Sequence, residues 1–123
     1  MKKRLEVSAI RILEVLRVSN SSLDIFLVSD AVMRDINREY RGQNKVTNIL
    51  SFKAPHVPRP DSTLHHLGEV YLAPKYISYH NEDIRHLLIH GILHLLGYEH
   101  ECSKIKARSM ENKEKEIIAK AGF

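Results

Sequence analysis

The spacing of apolar positions changes several times along the chain, and each change marks an element. Residues 3–18, KRLEVSAIRILEVLRV, place Leu5, Ala9, Ile12, Leu13 and Leu16 at helical spacing. Ser19, Asn20, Ser21 and Ser22 then interrupt the pattern. Residues 22–29, SLDIFLVS, are β-branched and aromatic and predict a strand. Asp30 is the expected cap of a helix over AVMRDINREYR, with Val32, Met33, Ile36 and Tyr40 on one side and Gly42 and Asn44 at its end. TNILSF, residues 47–52, predicts a second strand.

Residues 53–67, KAPHVPRPDSTLHHL, hold three of the four prolines and predict a long loop. Loops of this length are usually functional or disordered. After Gly68, residues 69–73 predict a third strand, and Pro74 with YISYHN a connector. Asn81 or Ser78 is the expected cap of a helix running to about residue 96. Residues 103–120 predict a charged amphipathic helix whose partial apolar face is Ile105, Met110, Ile117 and Ile118. The order α, β, α, β, β, α, α predicts a single α+β domain with a small mixed sheet of about three to four strands and four to five helices.

The helix over residues 82–96 differs from the others. At about 100° per residue, Ile84, Leu87, Leu88, Gly91, Ile92 and Leu95 form one stripe, and Ile89, Leu93 and Leu96 a neighbouring face. A helix apolar nearly all round belongs in the core. The remaining strip carries His86, His90 and His94, and a buried polar strip must find partners. His90 and His94 stand at i and i+4, so both rings can converge on one ion. Gly97 can end the helix in the left-handed conformation, and the turn can bring His100 back. Three imidazoles with a fourth position open are the donor set of a catalytic zinc site, whereas structural sites close with four ligands, often thiolates. Cys102, two residues past His100, is the one thiol able to close the set. The competing readings are ordinary surface or core histidines and a purely structural metal.

Composition narrows the setting. The chain has 123 residues, 43% hydrophobic and 28% charged, which fits one soluble domain with a modest core. No apolar run approaches the roughly 20 residues a bilayer span needs. Arg11 and Glu14 interrupt the only candidate for a signal peptide. A lone cysteine makes no internal disulfide and suits a reducing cytoplasm. The formal charge of +4, from 19 Lys+Arg against 15 Asp+Glu, is compatible with a nucleic-acid partner. Eight histidines is a high count and directs attention to histidine chemistry.

The spacing H-x3-H-x2-G-x2-H is that of the metzincin peptidases, but their glutamate position is Gly91. Peptide cleavage needs a base for water and an acid for the leaving amine, so the change weakens a peptidase reading. HGILHLLGYEH, residues 90–100, resembles instead the signature H-G-x-L-H-L-x-G-Y-D-H of the YbeY-type endoribonucleases, the bacterial rRNA maturation factors, with Glu99 in place of Asp. NREYRGQNKVTNILSF, residues 37–52, is similar to that family's N-x-x-Y-R-x-x-x-x-x-T-[DN]-V-L-S-F stretch. LGEV, residues 67–70, resembles its L-G-D-I, and SMENKEKEIIAKAGF its closing helix. Two departures are visible. Family members begin with a short strand before the first helix, whereas helical spacing here starts almost at Met1, so a three-stranded sheet with an exposed edge is expected. The family's proline after Ser-Phe is displaced, because Lys53 and Ala54 precede Pro55.

The resemblance implies that His90, His94 and His100 hold one zinc ion and that Arg41 lies in the catalytic cleft. It also implies a role beside the ligands for His86. Zinc can lower the pKa of bound water to about 7 and polarise a phosphoryl oxygen. Arg41 can fork onto two phosphate oxygens. RNA carries its own nucleophile, the 2′-hydroxyl, which reduces the need for a water-activating glutamate. Glu99 can accept a ligand histidine's second N–H; Glu101 and Glu82 are further candidate carboxylates, each also readable as solvent-facing. Arg41, Lys45, Lys53 and Arg59 can follow a phosphate backbone. Tyr40, Phe52, Tyr71 and Tyr98 can stack on unpaired bases, or simply pack in the core. His56, His65 and His66 are expected to be solvated, in or beside the proline-rich loop, and KIKARSMENKEKE to be a solvated helix face. The expected protein is a cytoplasmic zinc-dependent endoribonuclease that cuts single-stranded RNA in rRNA maturation at the ribosome, with no DNA or membrane partner. The alternatives are a metallopeptidase-like hydrolase and a non-catalytic ribosome assembly factor with a structural metal.

Overall fold

The structure, a computed structural model, describes residues 1–54, 64–98 and 104–123. Its elements are α1 (Lys2–Val15), β1 (Ser21–Leu27), α2 (Asp30–Arg41), β2 (Ile49–Lys53), β3 (His65–Leu72), α3 (Pro74–Tyr79), α4 (Ile84–Leu95) and α5 (Lys104–Ala121). The strands form one mixed sheet in the order β1-β3-β2, with β1 parallel and β2 antiparallel to β3. This is the expected α+β architecture in its three-strand, five-helix form among the described residues.

Period-two alternation in β3 divides the sheet into two faces. Val70 and Leu72 are buried on one, while Glu69 and Tyr71 point to the other. The Val70 face receives α4, α1 and α5, and Leu88, Ile89, Ile92 and Leu93 of α4 are fully buried there. Burying each such side chain is worth about 1.5–3 kcal/mol, so α4 anchors the domain. The opposite face is only partly covered. There α2 lays Met33 against Leu50 and Ala73, with Phe52 and Tyr71 packed at the margin.

Several local expectations are corrected. Ser29, not Asp30, caps α2, its side chain accepting from Val32 N at 3.2 Å. Asp83, not Asn81 or Ser78, caps α4, accepting from the backbone N–H of Arg85 at 2.9 Å and of His86 at 3.4 Å. The stretch after Ala73 is a short helix rather than a connector, since Pro74 sits at its first position, where its fixed φ suits a helix and its missing N–H costs nothing. β3 begins at His65, so His65 and His66 are strand residues and not part of the loop. In α2 the inward pair is Met33 and Asn37, while Val32 and Tyr40 are exposed. Met110 and Ile117 of α5 are buried as expected; Ile105 lies outside the described side chains.

Two glycines set the close approaches. Gly68 has φ +144°, and a Cβ there would lie 2.1 Å from the backbone O of Phe52. Only glycine permits the β2–β3 pairing at that point. Gly91 faces the sheet from α4, where a Cβ would lie 2.8 Å from Ile49 Cδ1 and 3.3 Å from Val70 Cγ1.

Candidate metal centre

One turn separates His90 from His94 on α4, and their rings converge. The two Nε2 atoms are 3.0 Å apart, and the rings meet edge to face with centroids 4.6 Å apart. The other nitrogen of His90, Nδ1, donates to Glu114 Oε1 of α5 at 3.0 Å. That bond orients the His90 ring and turns its Nε2 toward His94. Both partners are partly exposed, His90 at 31% and Glu114 at 26% of their side chains, so the buried strip expected from the sequence is a half-open one.

The helix ends shortly after His94. Gly97 has φ +98°, its N–H bonds to His94 O, and the N–H of Tyr98 bonds to Leu93 O. This is a Schellman ending, and it turns the chain away directly after the second histidine. His100, the third expected ligand, lies outside the described residues, as do Glu99, Glu101 and Cys102. Among the described residues no group of three histidine, cysteine or carboxylate side chains could hold a metal ion.

His94 opens on a groove of about 410 Å³ that it lines with Leu95 and with Ser51, Phe52 and Lys53 of β2. This size falls within the range of small-ligand sites. Phe52 connects the groove to α2, because Tyr40 packs on its ring at 5.4 Å between centroids. Arg41 follows Tyr40 and is exposed, with no ion pair to any described residue. The loop after α2 is tied down by Asn37, 2% exposed, whose Nδ2 donates to Lys45 O at 2.9 Å. Lys45 and Lys53 are exposed.

Other candidates lie apart from this centre. His86 is exposed in the first turn of α4, with Nε2 3.8 Å from Asp83 Oδ2. Glu82 precedes the helix and accepts from Asn48 Nδ2 at 3.0 Å. His66 contacts Ser22 Oγ at 3.3 Å and Asp24 Oδ2 at 3.5 Å across β1, so it is not simply solvated. Tyr71 donates to Glu69 Oε2 at 2.8 Å. Burial first, then that hydrogen bond and the Glu69 charge, push its phenol up to about 12. His56 and Arg59 lie outside the described residues.

Sequence reasoning missed Glu114. It falls in the run expected to be a solvated helix face, and its own helix gives no other sign. The missing metzincin glutamate is explained by Gly91: a side chain there would enter the sheet, not the groove.

Fold and site together define a small α+β protein whose central helix carries a histidine pair at the mouth of a groove. A similar solved structure, the solution structure of TM1509 from Thermotoga maritima, superposes with a TM-score of 0.61 at 27% identity, covering 97% of this chain and 81% of that one. The sequence profile described as "Endoribonuclease YbeY" matches residues 2–122. Proteins of that name from Persephonella marina and a Chelativorans strain are 39% and 37% identical to it. The first match covers 95% of this chain and 81% of the relative, the second 80% and 64%. The chain thus spans less than two thirds of the Chelativorans relative's length. It belongs to the YbeY endoribonuclease family.

Proposed function

We propose that this chain is a zinc-dependent endoribonuclease that cuts single-stranded RNA during rRNA maturation, in the cytoplasm and at the ribosome. The observation that carries this reading is the convergence of His90 and His94, 3.0 Å apart at Nε2, beside a groove edged by Lys53, in a chain of this family. Two imidazoles converging from i and i+4 supply nitrogen donors of the kind zinc takes. His90 and His94, with His100, would hold the ion, and Glu114 would keep the His90 ring in the ligating tautomer. Zinc supplies Lewis-acid charge at a phosphoryl oxygen. Arg41 and Lys53 bind the phosphodiester, Arg41 through two oxygens at once. Among the described residues, no helix is long and apolar enough to cross a membrane.

A peptidase is disfavoured because the position of its glutamate faces Ile49 and Val70. The test is cleavage of a single-stranded RNA by the purified protein beside an identically prepared His94→Ala variant. Cutting by the wild type and not by the folded variant is expected. Equal cutting by both would assign the activity to a contaminant. Cutting by neither would favour an assembly factor, for which removing the metal should unfold the chain.

A further inference from the structure

A row of four aromatic rings crosses the sheet face opposite α4 and ends beside β2, the edge strand that also lines the groove. Phe26 stacks on Tyr71 at 4.9 Å, Tyr71 meets Phe52 edge-on at 5.8 Å, and Phe52 meets Tyr40 at 5.4 Å. The inner members are fixed. Tyr71 is held by Glu69, and Phe52 and Tyr71 pack against the Met33–Leu50–Ala73 cluster. Tyr40 is different: it is 66% exposed, although packing α2 by its sequence pattern would have turned it inward. An exposed phenol ring braced by Phe52 presents a π-face that no other described aromatic ring covers. Exposed cationic side chains lie along the same stretch of chain, Arg41 next to it, Lys45 in the following loop and Lys53 on β2 at the groove.

We propose that Tyr40, supported by Phe52, is a base-stacking step for single-stranded RNA, holding an unpaired base at the outer edge of the sheet beside β2, the strand that also lines the histidine groove. This deepens the endoribonuclease reading and rests on it. The neighbouring cations identify the occupant: they attract a polyanion, and unpaired RNA bases are the planar apolar groups attached to one. Double-stranded RNA offers no such face, because its bases are already stacked. Tyr40 therefore positions substrate and confers preference for unpaired segments. Tyr71 and Phe26 act only as its foundation.

The test is fluorescence-anisotropy binding of a short 2′-O-methyl oligouridine, which lacks the internal nucleophile, and of an abasic strand with the same backbone. Tyr40→Ala is expected to bind oligouridine about tenfold more weakly, as for loss of one base–aromatic stack. Tyr40→Phe should bind like the wild type, and the abasic strand should not distinguish the three proteins. Circular dichroism checks that Tyr40→Ala stays folded, as expected for an exposed side chain. If Tyr40→Ala binds oligouridine as the wild type does, stacking is overturned while the endoribonuclease reading stands. If the loss also appears with the abasic strand, Tyr40 acts on the backbone and stacking is again overturned. If binding falls as expected but the wild type cleaves no RNA, the stacking step stands and the nuclease reading falls. If the wild type binds neither strand, both fall together.

Discussion

Gly91 separates the two histidines of α4 and rests on the sheet, so it offers a direct test of how the site is positioned. In an ordinary helix interior, Gly→Ala gains about 1 kcal/mol by lowering unfolded-chain entropy. Here the new methyl would sit 2.8 Å from Ile49 Cδ1 and 3.3 and 3.5 Å from the two γ-carbons of Val70. Overpacking of that kind costs about 1–3 kcal/mol. Gly91→Ala is therefore expected to be destabilising by about 1 kcal/mol, the difference between a cost of about 2 and a gain of about 1. Ile49→Val alone should cost about 1 kcal/mol, because it leaves a methyl-sized void. In that background the penalty should vanish: the offending Cδ1 is gone and the alanine methyl fills the void, while the Val70 γ-carbon at 3.3 Å remains, so Gly91→Ala should be about neutral. The coupling of about 1 kcal/mol is readable from urea unfolding of the four proteins, provided the m-values agree. Additivity within about 0.5 kcal/mol would refute the claim that Gly91 is fixed by contact with Ile49.

Other predictions concern the site and its supports. Glu114→Gln should weaken zinc binding about tenfold in a chelator competition, the low end for a carboxylate that orients a ligand histidine, because both partners are partly exposed; unchanged affinity would remove Glu114 from the centre. Asn37→Ala should destabilise the fold by about 1–2 kcal/mol and speed hydrogen exchange around Lys45, since it deletes a buried donor to that carbonyl. Unaltered exchange there would show that the loop is held by something else. Tyr71 is raised from 10.0 to about 12 on folding, so its neutral form is favoured by the native state. Its stabilising contribution is complete below pH 10 and is lost as the pH rises through about 12. Tyr71→Phe should abolish that alkaline step in a pH-dependent unfolding series, and a step that survives belongs to another group.

Much of this protein follows from local sequence. The histidine pair, the glycine stop at Gly97 and the apolar girth of α4 are consequences of spacing on a 3.6-residue helix, and period-two alternation marks β3. These features depend on near neighbours in the chain. What the sequence left open depends on fine backbone path or on contacts between distant segments. Ser29 and Asp83 displaced the expected caps because a cap is chosen by which side-chain oxygen reaches the free N–H groups, a matter of backbone path within a residue or two. Asn37 turned inward and Tyr40 outward because α2 has only a small cluster to cover and a loop carbonyl to satisfy. Glu114 reached His90 across 24 residues, which no periodicity in α5 could announce. Gly91 reads as a missing base in one dimension, and only the packing of α4 on β2 and β3 shows that position to be filled by the sheet. Local pattern determined which helix carries the histidine pair; helix-on-sheet packing decided which way the pair points and what stands behind it.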